Sequence, residues 1–326
     1  MEAVVMREFG GPDVLKPESV PLAEPPAGWV TVELRAAALN WHDVLVRQGR
    51  YGSPLPHILG ADGAGIRRDT GDRVLVVPSL WWGPNEAAPS STWEILGDHR
   101  NGTYAEAVNV PVESVVPIPA DWNFDTAAAL PLVGVTTFRA LFTRGRLRAG
   151  ENLLVLGAGG GVATMAVMLG AAVGARVFVT SSSRDKIDRA VELGARGGVL
   201  YTDSEWPDAA RALTEGGRGF DVVLDSVGTW SRSIDVSAPG GRVVVLGASR
   251  AQEAVLDVRK FYFGQYDILG TTMGSIADFA GLLDFLARHD VPPPPIGKVF
   301  PLDRPADAHE FLEKGTGFGK VVLSIS

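Results

Sequence analysis

The 326-residue chain contains no cysteine. Disulfides, thiolate metal sites, iron–sulfur clusters and thiol nucleophiles are therefore excluded together. No apolar run approaches the ~20 residues that a bilayer-spanning helix requires. The opening Met1-Glu2-Ala3-Val4-Val5-Met6-Arg7 lacks the basic-then-apolar order of a signal peptide. Gly-x-Ser-x-Gly is missing and the five histidines are scattered, so a hydrolase has no anchor. Positive charge is in deficit: 30 Lys and Arg against 38 Asp and Glu leave a net charge of −8, a poor match to nucleic acid or an anionic membrane. The expectation is a soluble, cytoplasmic protein with neither kind of partner.

What is present is a core-forming chain. Hydrophobic residues make up 46% of it, too many for a disordered protein. At roughly 100–200 residues per domain, the length suggests two domains. Val30–Leu34 alternates at period two, and Arg73–Val77 and Tyr104–Val108 supply further strands. Gly10-Gly11-Pro12, Pro25-Pro26 and Gly52-Ser53-Pro54 punctuate this region, which reads as a compact barrel-like domain. From Asp121 the texture changes. Strands at Leu153–Gly157, Arg176–Thr180, Val199–Tyr201, Phe220–Asp225, Arg242–Gly247 and Ile268–Thr272 alternate with helical spacing over Val162–Val173 and Arg184–Leu193. That alternation predicts an α/β, doubly wound parallel sheet. An amphipathic helix over Ile276–Arg288, a proline tract at Pro292–Pro295 and a β-like Gly319–Ile325 follow.

The strongest local signal is Leu153-Leu154-Val155-Leu156-Gly157-Ala158-Gly159-Gly160-Gly161-Val162-Ala163. A strand runs into glycines and then a helix, so the backbone can approach a pyrophosphate and the helix N-terminus can bind it. Val162 or Ala163 stands where strict dinucleotide spacing has a third glycine, and such a turn also serves simply to join strand to helix. After the second strand, where an NAD site carries an acidic residue, the chain reads Ser181-Ser182-Ser183-Arg184-Asp185-Lys186. Hydroxyls and two cations suit the 2′-phosphate of NADP(H). Charge-assisted hydrogen bonds of about 1.5–3 kcal/mol each amount to a preference of roughly 10²-fold. Asp185 opposes this, blunted by the cations beside it. Ser183 also fits the N-cap of the next helix.

Further motifs occur in a fixed order: Leu39-Asn40-Trp41-His42-Asp43 with Arg47-Gln48-Gly49-Arg50-Tyr51; Ile58-Leu59-Gly60-Ala61-Asp62-Gly63-Ala64-Gly65; Gly71-Asp72-Arg73-Val74; Ala127-Ala128-Ala129-Leu130-Pro131 with Gly134-Val135-Thr136; the glycine turn; Asp221–Gly228; and Phe318-Gly319-Lys320-Val321. With them the chain resembles the medium-chain dehydrogenase/reductase superfamily over almost its whole length, on its zinc-free quinone oxidoreductase side. The resemblance implies a GroES-like β-barrel catalytic domain from residues 1–120 and 275–326. It implies a Rossmann NADP(H)-binding domain from 121–274, an active site in the cleft, and a homodimer through the edge strand Ile268–Thr272, because an open sheet edge needs covering. In the glycine turn, Gly159, Gly160, Gly161 and Val162 would meet the pyrophosphate. Lys186 and Tyr201 would join Ser181, Ser182, Ser183 and Arg184 at the 2′-phosphate. Thr136 would approach the nicotinamide, and Asp225, Ser226, the Gly247–Arg250 turn and Lys320 would border the cofactor. Asn40, Asp43 and Tyr51 match polar residues lining the substrate cleft.

The resemblance also marks departures. Zinc alcohol dehydrogenases hold their catalytic metal by Cys, His and Cys at positions that here are Asn40, Ala61 and Leu132. The Ser79–Arg100 loop lacks structural-zinc cysteines and carries Trp81, Trp82 and Trp93, as packing or as a cleft wall. His42, Asp43, His57 and Asp62 lack metal-ligand spacing. Without the charge stabilisation of a metal, hydrogen bonds must suffice, which favours an acceptor already activated. The expected reaction is hydride transfer from NADPH to a quinone or an α,β-unsaturated carbonyl. Tyr51 or Asn40 would donate to the developing oxyanion, and Tyr51 or water would supply the proton. Plainer readings stand beside these: Asp43 holding loop backbone, Tyr51 packing, Lys320 a solvated charge. The alternatives are an enoyl-thioester or alkenal reductase of the same superfamily, a non-catalytic NADPH-binding redox sensor or structural protein, and a zinc dehydrogenase with unusual ligands.

Overall fold

The computed structural model describes residues 1–248 and 253–326. It separates into two units: Met1–Val135 with Gly274–Phe279 and Pro293–Ser326, and Thr136–Met273 with Ala280–Pro292. The first unit thus extends past Asp121. The reason is the helix Phe124–Ala128, whose fully buried Ala127 and Ala128 pack on the strands Trp29–Ala38 and Asp62–Arg67.

The first unit is built on Trp29–Ala38, which pairs antiparallel with Asp62–Arg67, Ala107–Pro111 and Lys320–Ser324. Small residues let these strands approach: a Cβ at Gly65 would lie 2.0 Å from the Glu33 carbonyl oxygen. Alternate side chains such as Val32 and Leu34 enter a core with Leu59, Val76 and Leu323. The third strand begins at Ala107 rather than Tyr104. Tyr104 instead ties separate segments together, its N–H donating to Leu59 O and its carbonyl accepting Val4 N–H.

The second unit holds a six-stranded parallel sheet in the order Gly197–Leu200, Arg176–Ser181, Asn152–Val155, Phe220–Asp225, Ser237–Val245, Asp267–Gly270. Helices Gly161–Ala172 and Arg184–Glu192 connect the first strands, close to the spans expected from periodicity. Trp206–Ala212, Trp230–Val236 and Val258–Phe263 were not marked by periodicity, because helices of six or seven residues are too short to display it. Strand order reverses between Asn152–Val155 and Phe220–Asp225, the place where open α/β sheets bind ligands at their carboxyl ends. No helix among the described residues is long and apolar enough to cross a membrane.

Candidate functional site

The glycine turn leaves Asn152–Val155 at that reversal. Gly157 and Gly159 take φ values of +87° and +109°, a backbone that side chains resist. The turn is tied to the neighbouring strand: Gly157 N–H donates to Thr180 Oγ1 at 3.1 Å and Ala158 N–H to Thr180 O at 2.7 Å. Gly160 is exposed and stands at the N-cap of the twelve-residue helix Gly161–Ala172, which no side chain caps. A Cβ at Gly157 or Gly160 would meet nothing within 4 Å. Gly161 and Val162 therefore start a helix whose leading N–H groups no side chain caps and whose approach at Gly157 and Gly160 is uncrowded, a fit to a diphosphate. Helix Phe124–Ala128 shows the ordinary alternative, with Asn123 Oδ1 accepting Thr126 N–H at 2.9 Å.

At the end of the next strand Ser181 is buried and its Oγ accepts Ser183 N–H at 3.2 Å. Ser182 and Arg184 are exposed, and Ser183 and Lys186 are half-buried. Tyr201 adjoins them, donating its N–H to Ser181 O at 2.9 Å. Ser183 is the N-cap of Arg184–Glu192 by backbone geometry, with no side-chain cap bond. Hydroxyls and cations thus gather where two adjacent strands end, which suits a phosphate monoester.

The remaining residues expected at the cofactor are placed differently. Asp225 is fully buried, and its carboxylate accepts Val227 N–H and Gly228 N–H at 2.8 Å, Thr229 N–H at 3.1 Å and the Ser233 hydroxyl at 2.8 Å. It shapes the turn that carries Ser226 and has no lone pair left for a ligand. Gly247 lies against that turn, where a Cβ would come within 2.6 Å of Ser226 O. Of the Gly247–Arg250 turn, Ser249 and Arg250 lie outside the described residues. Thr136 is buried with its hydroxyl toward Met273 Sδ, 3.7 Å away.

Lys320 is no solvated charge. It is 3% exposed, and its ammonium donates to Asn40 Oδ1 at 2.6 Å and Asp62 Oδ2 at 3.0 Å. Asn40 Nδ2 also donates to Asp62 Oδ2 at 3.0 Å, and Asp62 Oδ1 accepts Leu132 N–H at 2.7 Å. Asn40, expected to face substrate, is 5% exposed with both ends of its amide engaged by protein groups. Asp43 is engaged likewise: 1% exposed, its Oδ2 accepts Asn40 N–H at 2.7 Å and the Tyr104 hydroxyl at 3.1 Å. Burial pushes its carboxyl up to about 7 despite the Asn40 hydrogen bond.

The network continues through side chains that sequence reasoning missed. Tyr104 Oη lies 3.3 Å from His309 Nε2, and Arg47 Nη1 lies 3.2 Å from His309 Nδ1. Arg47 can only donate, so Nδ1 accepts and Nε2 carries the proton. Burial, with the Arg47 charge behind it, holds His309 down to about 3 and therefore neutral. Tyr104 reads in the sequence only as the start of a strand, and His309 sits in unmarked sequence, so neither carries a signal for this network.

Among the three residues expected at the substrate, only Tyr51 is open, at 42% exposure. Its ring contacts His42 edge-on with centroids 4.5 Å apart, and burial followed by the Asp98 charge raises its phenol. Burial lowers His42 to about 4. The tryptophans pack within their own surroundings: Trp82 on Trp93 at 5.8 Å, and Trp81 between Trp29 at 6.0 Å and the Arg100 guanidinium at 4.9 Å. Among the described residues no group of three or more His, Cys, Asp or Glu is disposed to hold a metal ion. The donor set at Asn40, Ala61 and Leu132 does not fit zinc, since it offers neither imidazole nor carboxylate.

A family model described as the alcohol dehydrogenase GroES-like domain matches residues 26–120, and one described as zinc-binding dehydrogenase matches residues 161–288. A zinc-type alcohol dehydrogenase-like protein of Schizosaccharomyces pombe is 33% identical over 99% of this chain and 98% of its own. The quinone oxidoreductase of Mus musculus is 31% identical over 99% of this chain and 97% of its own. The solved structure of an NAD-dependent alcohol dehydrogenase is 39% identical, with a TM-score of 0.94 and full coverage of both chains.

Proposed function

We propose that this chain, which belongs to the medium-chain dehydrogenase/reductase superfamily, is a zinc-independent, NADPH-dependent oxidoreductase acting on a quinone or an α,β-unsaturated carbonyl. The observation that carries the reading is the Asn40–Asp62–Lys320 cluster, where an ammonium already balances the buried carboxylate. With that carboxylate already neutralised and no imidazole at Asn40, Ala61 or Leu132, these positions suit an acceptor that needs no Lewis acid.

When bound, NADPH supplies the hydride. Gly159, Gly160, Gly161 and Val162 would hold its diphosphate, and Ser181, Ser182, Ser183, Arg184, Lys186 and Tyr201 would hold its 2′-phosphate. Thr136, Ser226 and Gly247 would border the cofactor. Tyr51 donates a hydrogen bond to the acceptor oxygen as negative charge builds there, and water supplies the proton that completes the reduction. Its raised phenol keeps the proton at neutral pH, so it acts as a donor throughout. The protein is a homodimer joined along Asp267–Gly270, the sheet's edge strand, with the exposed Val258, Tyr262 and Phe263 of the preceding helix beside it.

The test is NADPH oxidation, followed by absorbance, with quinones, enones, alkenals and enoyl thioesters. Quinones or enones should give turnover, and whichever class has the highest kcat/KM names the acceptor. Alcohol oxidation with NAD as the main activity, or stoichiometric zinc in the active protein, overturns the reading. Turnover with no acceptor leaves a binding protein in its place.

A further inference from the structure

Tyr51 is 42% exposed, yet the groups that support it are buried. His42, on the helix Trp41–Arg47, meets its ring edge-on at 4.5 Å. The His42 Nε2 is buried with no hydrogen-bond partner and lies 3.9 Å from Asp98 Oδ2. Asp98 is 6% exposed, and its Oδ1 accepts the Ser53 hydroxyl at 3.2 Å. Ser53, itself 5% exposed, follows Tyr51 by two residues in the same loop. The ring is therefore held from a helix, and the loop that carries it is pinned from a separate segment.

These arrangements oppose folding. An exposed tyrosine in a surface loop gains rotamer entropy when released. A buried imidazole nitrogen without a partner and a buried carboxylate met by a single hydroxyl are both unfavourable. Three unfavourable features converge on one accessible phenol. Preorganisation of that phenol accounts for all three, because a donor fixed before substrate arrives needs no reordering as charge develops.

We infer that His42 and Asp98 are positioning residues for Tyr51: His42 sets the ring, and Asp98, through Ser53, sets the loop, so that the phenol hydroxyl is aimed at the acceptor oxygen. The inference rests on the reading of Tyr51 as hydrogen-bond donor in Proposed function. Neither residue needs to touch substrate or cofactor. Misplacement of a catalytic group by about 1 Å costs up to roughly 10²-fold, which sets the scale of the effect.

The experiment is a double-mutant cycle on the intact protein, using saturating 1,4-naphthoquinone with NADPH varied up to saturation. His42→Ala should lower kcat about tenfold or more while the KM for NADPH stays within about twofold. His42→Phe, which keeps an aromatic edge, should restore most of that loss. In the Tyr51→Phe background, His42→Ala should cost less than about twofold, because the group it positions is gone. Ser53→Ala, which removes one hydroxyl and spares the fold, runs the same cycle from the loop side and should show the same collapse. Losses equal in both backgrounds, or a change in NADPH KM in place of kcat, overturn the positioning role and leave Tyr51's role intact. Wild-type turnover by Tyr51→Phe is a different result: it removes the reading of Tyr51 as donor, and the positioning role with it.

Discussion

Lys320 donates to Asp62 at 3.0 Å with both side chains almost wholly removed from water, and the same ammonium reaches Asn40. A buried pair of this kind contributes little net stability compared with apolar packing, but leaving one charge alone is costly. Lys320→Met should therefore destabilise the protein by about 3–5 kcal/mol, since the buried Asp62 carboxyl loses its cationic partner. Adding Asp62→Asn, which still accepts from Leu132, should recover at least half of that. Urea unfolding of the single and double variants measures both. A single-variant loss of under about 1 kcal/mol would contradict the pairing.

Gly160 separates stability from cofactor binding. Its φ of −77° and ψ of 164° suit any N-cap residue, and a Cβ there meets no protein atom. Gly160→Asp should hold or raise the melting temperature, because Asp caps helices well and its charge suits the dipole's positive end. The same carboxylate would face the diphosphate, so NADPH affinity should fall by about 10²-fold or more through like-charge repulsion. Thermal melting without ligand and calorimetric titration with NADPH read the two effects separately. Unchanged NADPH affinity would remove this turn from the binding site.

The choice between NADPH and NADH is expected to reside at Arg184 and Lys186. Replacing both with Ala should raise the Kd for NADPH about tenfold or more and leave that for NADH within about twofold, since only the 2′-phosphate is affected. The NADPH deficit should shrink as salt screens the wild-type interaction. Equal losses for both dinucleotides would mean that these side chains serve the fold or the diphosphate instead.

Three buried groups shape the dependence of stability on pH. His309 and His42 fall to about 3 and about 4 in the folded protein, so each contributes stability above the unfolded histidine value that is lost as pH drops. Asp43, raised to about 7, acts in the opposite sense: its contribution is complete below the unfolded carboxylate value and disappears as pH climbs through 7. His309→Gln, which keeps a donor and an acceptor, should remove one proton from the difference between unfolded and folded states. The slope of unfolding free energy between pH 4 and 6 should fall by about 1.4 kcal/mol per unit. Asp43→Asn should steepen it by a similar amount. Denaturant titrations across that range check both signs.

Much of the parallel-sheet unit was legible before any coordinates. Its strands are continuous apolar runs bounded by glycine or polar residues, and Phe220–Asp225 reads to both of its ends. Parallel strands covered on both faces produce that signal by themselves. In the first unit, where most strand pairs are antiparallel, the signal is weaker. Tyr104 has the chemistry of a strand residue, but backbone hydrogen bonds to Leu59 and Val4 place it before the strand that begins at Ala107. Helix Pro305–Lys314, which delivers His309, gave no warning of its role.

Composition and local order determined that this chain has no thiolate chemistry, that a glycine turn opens a helix after a buried strand, and that hydroxyls and cations follow the next one. Those features arise among neighbours in the chain, where turn geometry and residue type are enough. Which polar residues remain available was decided in three dimensions. Asn40 and Tyr51 look equally suited to face a substrate, but Lys320, 280 positions away, engages the amide of the first while the second stays open. A hydrogen-bonding group has a fixed number of donors and acceptors, and folding alone determines which partners reach them first.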